Sequence, residues 1–163
     1  MHPTRVAYLD FHSPSCRAFE LSSGDALRTM ARDGLLTLVV HPVDLLDRPA
    51  TDHYSSRAAS ASGCAADGGL FMEYAQVLLE NQPPGGGPGL TDRQLVELGA
   101  EVGLSDRGFA QCVADHRYLT WAGRVTRRAL ARGVSATPTV LVQGLPVPAD
   151  RATIAAAVQA SGR

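Results

Sequence analysis

The periods at which apolar positions recur along this chain change several times, and the order of those changes predicts its architecture. An apolar run rich in strand formers, Val6-Ala7-Tyr8-Leu9, stops at Asp10-Phe11-His12-Ser13-Pro14, and a helical pattern starts at once. Ser13 suits the N-cap, and Pro14 suits the first helical position, where a missing N–H costs nothing. Phe19, Ala26-Leu27 and Met30-Ala31 then recur at helical spacing and give one apolar face. Gly34 is the expected C-cap, residues 35–40 read as a buried strand, and Pro42 and Pro49 are expected to take the chain out of the sheet.

From about residue 51 to 132 the pattern is helical throughout. An Ala/Ser-rich helix over 54–66 is halted by Asp67-Gly68-Gly69, and a second over 70–81 carries Phe71, Tyr74 and Leu78 on one face. Residues 82–89, rich in proline and glycine, can only be a surface loop. Thr91-Asp92-Arg93-Gln94 fits the capping-box pattern and opens a helix ending near Gly103. Ser105 is the expected cap of a short helix with Phe109 and Cys112, and a longer one over 118–132 carries Trp121 and Val125. Strand periodicity returns at Thr139-Val140-Leu141-Val142-Gln143, followed by a turn at Gly144 and a short edge strand, Leu145-Pro146-Val147. Asp150 is placed to cap a terminal helix with Ile154, Ala157 and Val158 inward. Periodicity alone therefore predicts an α/β domain with an all-helical block between its two strand-bearing halves.

The 163 residues suffice for one domain with a real core. A formal net charge of −1 gives no electrostatic reason to expect nucleic acid or an anionic membrane as partner. Every basic residue is arginine, which reads as coding-sequence composition more than function. No apolar run reaches the length of a membrane span, and no signal-peptide apolar region opens the chain, which leaves a cytoplasmic location open. The chain also begins almost inside its first strand, which leaves room for an upstream leader or tether. Three cysteines mean one pair and one left over, or three free thiols. No Cys or His pair has ligand spacing, so a metal site is not expected.

Asp10-Phe11-His12-Ser13-Pro14-Ser15-Cys16 resembles the active-site segment of the DsbA-like branch of the thioredoxin superfamily, which writes Asp-Phe-x and then Cys-Pro-x-Cys at the start of a helix. The second cysteine is present as Cys16, and the first has become Ser13. Gly133-Val134-Ser135-Ala136-Thr137-Pro138-Thr139 is similar to the family's Gly-Val-x-x-Thr-Pro-Thr segment. The resemblance implies a thioredoxin-like α/β fold with an all-helical insertion. Its core is residues 1–50 and 133–163, and its insertion is residues 51–132. The resemblance also implies a cis Thr137–Pro138 bond packed opposite Ser13 and Cys16, with Thr137, Pro138, Pro14 and His12 as the substrate-contacting set. Tyr54-Ser55-Ser56-Arg57-Ala58-Ala59 ahead of Cys64, and Cys112 ahead of Tyr118 and Trp121, look like one DsbA-like subgroup. That likeness implies a structural Cys64–Cys112 disulfide, which would need an oxidising, extracytoplasmic setting. The redox family often keeps a buried acid six positions before its first cysteine. Ala7 stands there, and Asp10 is expected to face the strand end.

Ser13 and Cys16 are the candidate catalytic residues. A serine hydroxyl stays protonated near neutral pH without a base, and nothing in the spacing identifies one. Dithiol exchange at this motif is therefore excluded. Ser13 can be a cap alone and Cys16 a buried small hydrophobe. Cys16 can instead be a lone redox thiol. Ser13-Pro14 is also similar to the kappa-class glutathione transferases and related isomerases, which would imply a low-molecular-weight thiol cofactor held by Ser13. No other cofactor is expected. The function expected is an atypical, monothiol DsbA-like redox protein, with a silent peptide-binding module or a thiol-cofactor enzyme as alternatives. The partners implied are thiol-containing proteins, peptides or small thiols.

Overall fold

The computed structural model describes residues 3–47 and 52–161. Strand β1 (Thr4–Leu9) leads through a tight turn into α1 (Pro14–Phe19), a π-helical turn (Glu20–Gly24) and α2 (Asp25–Arg32), which run as one helical rod. Strand β2 (Thr37–Pro42) follows. Five helices, α3 (Tyr54–Asp67), α4 (Phe71–Glu80), α5 (Asp92–Glu101), α6 (Arg107–Ala114) and α7 (Leu119–Ala131), then separate it from β3 (Thr139–Val142). The chain closes with β4 (Leu145–Val147) and α8 (Arg151–Ser161).

The sheet order is β2-β1-β3-β4, with β1 parallel to β2 and antiparallel to β3. Successive residues of β1 point to opposite faces. Ala7 and Leu9 join the main core with Leu27, Val140, Ile154 and Val158. Tyr8 lies on the other face with Val43, Ala129 and Val134. The main core runs without a break from the sheet through Phe11 and Cys16 into Tyr74, Leu95 and Phe109 of the helical block. This is the thioredoxin-like mixed sheet with a helical insertion.

Three local expectations are corrected. Strand β2 starts at Thr37 because Gly34, at φ 75°, and the Leu35 N–H to Met30 carbonyl bond of 2.9 Å finish the helix; Leu35 is left 54 % exposed. It also runs through Pro42, which pairs with Leu9 on an edge strand, where a missing N–H is tolerated. The cap of α6 is Asp106, whose carboxylate accepts from the Phe109 N–H at 3.0 Å, and not Ser105. The expected roles of Pro49 and of the start near residue 51 lie outside the described residues. The Thr91/Gln94 capping box and the Asp150 cap on Thr153 are both formed.

Cys64 of α3 and Cys112 of α6 are disulfide-bonded across 48 positions, and Cys16 is the free cysteine. A loop of that length contributes about 4 kcal/mol through the entropy removed from the unfolded chain. Cys112→Ser, or full reduction, is expected to lower unfolding free energy by that order in denaturant titrations of reduced against oxidised protein. Equal midpoints would show that the bond contributes nothing.

Candidate functional site

The site is built by the turn between β1 and α1. The Ser13 N–H donates to the Asp10 carbonyl at 3.0 Å, and Ser13 takes extended geometry (φ −82°, ψ 118°). Its hydroxyl then accepts from the Cys16 N–H at 3.3 Å, as an N-cap does. The cap points Cys16 inward, where it is 0 % exposed, while Pro14 and Ser15 stay exposed.

The Thr137–Pro138 peptide bond is cis, and it lies against Cys16. Three donors face the Cys16 sulfur: the Asp10 N–H at 3.4 Å and the hydroxyls of Ser13 and Thr137. Hydrogen bonds of this kind stabilise a thiolate. Burial opposes them and prevails, so the Cys16 thiol is pushed above its ordinary value. Among the described residues, the backbone N–H and C=O of half-buried Thr137 have no hydrogen-bond partner.

Asp10 departs from its expected place. Its carboxyl is fully buried and faces inward from the strand end. One oxygen accepts from the His12 N–H at 2.9 Å and the Ser55 hydroxyl at 2.6 Å, and the other from the Leu46 N–H at 3.0 Å. Burial raises its pKa despite these three bonds. A buried acid therefore does stand beside the cysteine, on the turn and not at Ala7, which is packed in the core. The Asp10-x-His12 spacing, which closes a side-chain turn onto its own backbone, was the available signal.

The motif Tyr54-Ser55-Ser56-Arg57 supplies the other wall. Ser55 bonds Asp10, the Tyr54 ring meets the His12 ring edge-on at 5.0 Å, and Ser56 bonds Asp44 and Asp47. Arg57 pairs with Asp52 at 2.8 Å and Asp92 at 3.0 Å. His12 is buried, and its Nε2 donates to the Pro84 carbonyl at 2.9 Å. Gln82 donates to the carbonyls of Phe11 and Ser13 at 2.9 and 2.8 Å. The 82–89 loop is thus strapped over the start of α1. Gly89 has to be glycine, since a Cβ would lie 2.1 Å from the Tyr54 ring.

Of the residues singled out in the sequence, Ser13, Pro14, Cys16, Thr137 and Pro138 come together, and His12 lies behind them under the loop. Cys64 and Cys112 stand apart as a structural pair. Sequence reasoning missed Asp10, Ser55 and Gln82. Cavities of about 890, 620 and 480 Å³ are lined by other residues, the last by Leu38, Val40, Phe71, Met72 and Trp121 among them. Among the described residues no group of three His, Cys, Asp or Glu could hold a metal ion, and no helix is long and apolar enough to cross a membrane.

This geometry has close counterparts. The reduced disulfide bond oxidoreductase DsbG from Mycobacterium tuberculosis superposes with a TM-score of 0.86 at 29 % identity, over 97 % of this chain and 77 % of that one. Oxidised DsbA from M. tuberculosis gives 0.78 at 30 % identity, over 89 % and 74 %. BdbD from Bacillus subtilis shares the fold, with a TM-score of 0.79 at 19 % identity over 97 % of this chain and 86 % of that one. A segment of the Na(+)/H(+) antiporter NhaA of Herminiimonas arsenicoxydans is 31 % identical over 162 residues, 98 % of this chain but 24 % of the antiporter. The chain thus spans about a quarter of that curated relative. A family model described as Thioredoxin matches residues 2–160. The chain belongs to the thioredoxin family and, within it, to the DsbA-like proteins.

Proposed function

We propose that this chain is a DsbA-family domain that holds thiol-bearing polypeptides at its cis-proline loop and has given up dithiol exchange. The observation that carries this reading is the contrast between two neighbours. Cys16 is fully buried with its thiol pushed up, whereas Thr137 beside it is half-buried, with its backbone N–H and C=O unpaired among the described residues. A nucleophilic cysteine needs access and a lowered pKa. An unpaired backbone N–H and C=O, by contrast, suit an extended peptide adding as a strand. The partners that fit are cysteine-containing proteins or peptides, with Pro14, Thr137 and Pro138 as contacts and His12 as the buried support of the loop above.

A second reading is supported by the three donors around the sulfur. Once the 82–89 loop lifts, those donors would stabilise a Cys16 thiolate. It would attack a substrate disulfide, forming one S–S bond as another breaks and releasing the displaced sulfur as a thiolate. For a small thiol held by Ser13, the serine hydroxyl would first have to leave its contacts with Cys16.

Native alkylation separates these readings. Cys16 is expected to label slowly at pH 7, with a rate rising about tenfold per pH unit up to pH 9, as the thiolate fraction does. Fast labelling at pH 5 to 6 would sink the holding reading in favour of the monothiol enzyme. A small thiol raising the melting midpoint of wild type but not of Ser13→Ala would favour the cofactor reading.

The raised thiol also has a thermodynamic consequence. Between the ordinary value of 9.0 and its higher folded value, the folded protein keeps a proton that the unfolded chain has lost. Stability therefore falls as pH rises above about 9, by at most about 1.4 kcal/mol per pH unit from this group. Tyr54 and Tyr74 are also raised by burial, so the comparison is the slope of wild type against Cys16→Ala. Parallel slopes from pH 8 to 10 would contradict a raised Cys16.

Ser13→Cys is expected to restore dithiol oxidase or reductase turnover that wild type lacks, because the cap, the cis-proline loop and Cys16 are in place. A folded Ser13→Cys with no activity, or wild type with activity, would refute the loss of exchange through this single substitution. Amide shifts at Thr137 on adding an extended cysteine-containing peptide test the holding role directly, and their absence would remove it.

A further inference from the structure

We propose that the cavity over Arg5 is a binding site for an aliphatic monocarboxylate. Arg5 lies on the core face of β1 with Ala7 and Leu9, and its side chain is 0 % exposed. Among the described residues none of its Nε, Nη1 and Nη2 atoms has a hydrogen-bond partner. Its recorded contact is the Phe19 ring, 5.6 Å from the guanidinium carbon. Burial with no partner pushes its pKa down to about 10, which still leaves it charged at neutral pH. An unpaired buried cation is costly, and proteins generally satisfy one with an anion.

The cavity that Arg5 lines measures about 40 Å³, enough for a carboxylate head but not for a bulky polyanion. Its other charged lining residues are Glu20 and Arg28, which pair with each other at 2.5 Å. The lining therefore keeps one positive charge, the complement of one monoanion. A planar guanidinium fork matches a carboxylate with two parallel hydrogen bonds. The rest of the wall is apolar: Ala7, Leu9, Phe19, Leu27, Leu38 and Val40. Such a wall suits an alkyl chain.

The alkyl chain would extend toward a neighbouring groove. The cavity shares Arg28, Leu38 and Met72 with the 890 Å³ groove between α2, β2 and α4. The π-helical turn Glu20–Gly24 forms the roof, and Gly24 makes room for the Glu20 carboxylate, since a Cβ there would lie 2.2 Å from it. Extra-residue turns of this kind recur at functional positions in helices. None of this lining belongs to the Ser13–Cys16–Thr137 site, so the proposal stands apart from the function proposed above.

The test titrates hexanoate, with hexanol and formate as controls at constant ionic strength, into the whole chain labelled for arginine Nε–Hε NMR. Hexanoate is expected to shift the Arg5 Nε–Hε signal saturably and to raise the melting midpoint. Hexanol should do neither, and formate should bind more weakly. In Arg5→Met, which replaces the cation by an apolar chain of similar length, affinity should fall roughly tenfold or more. Arg5→Met should also gain stability in anion-free buffer. An Arg5 signal unmoved by hexanoate, or an equal melting shift in Arg5→Met, would overturn the site. Formate matching hexanoate would overturn the role of the apolar wall. If Arg5→Met fails to fold, the wild-type signal and the hexanoate–hexanol contrast still decide.

Discussion

The Asp10 carboxylate is the constraint on which this site depends. Burying a carboxylate costs several kcal/mol in practice, and a hydrogen bond to a charged group returns about 1.5–3 kcal/mol. One partner cannot offset the penalty, whereas three can come near it. Here the three come from separate stretches: His12 in the same turn, Leu46 beyond β2, and Ser55 at the start of the helical block. Satisfying one acid therefore joins the β1 turn, the β2 exit and α3 at a single point. Displacing any of these segments would leave a buried acceptor short of a donor. The raised pKa shows that burial is not fully offset even so.

That junction fixes the chemistry available next to it. With the turn held, Ser13 has to cap α1, and the cap sends Cys16 into the core beneath the cis-proline loop. The Asp10 N–H and the Ser13 and Thr137 hydroxyls then face the sulfur because the backbone puts them there. Three donors would favour a thiolate, yet desolvation is the larger effect, and the neighbouring Asp10 charge adds to it. The loop strapped by Gln82 and His12 holds the start of α1 in this arrangement. The same contacts that order the site hold its thiol in the neutral form.

Much of this was legible in the sequence, and the exceptions share a cause. Strand and helix order, the Thr91 and Asp150 caps and the pairing of Thr137–Pro138 with Cys16 follow from local patterns or from motif resemblance. Those signals are carried by residues close together in sequence. Asp10 and Arg5 were not legible, because hydrophobic patterning assigns charged residues to the surface. Arg5 alternates in phase with Ala7 and Leu9, so the strand period places it on the core face, and only three-dimensional packing reveals that nothing pairs with it. Likewise, the Gln82 bonds to Phe11 and Ser13 span about 70 positions from a loop readable only as flexible. The Ser105 cap was misplaced by one residue, since Asp106 offers an equally good oxygen and the backbone chose it.

A retained motif is weak evidence for retained chemistry when each of its residues also has a structural task. Ser13 caps a helix, Cys16 fills a core position, and Asp10 joins three segments. All three would persist in a protein that transfers no electrons. The informative feature is one without such a task. The Thr137 backbone stabilises nothing among the described residues, and its N–H and C=O stay unpaired on a partly exposed edge next to the cysteine. Folding leaves those half-exposed groups to water, which an incoming strand can replace. An edge left open at that point is better explained by a chain that comes to pair with it than by the fold, and so the case for binding is stronger here than the case for catalysis.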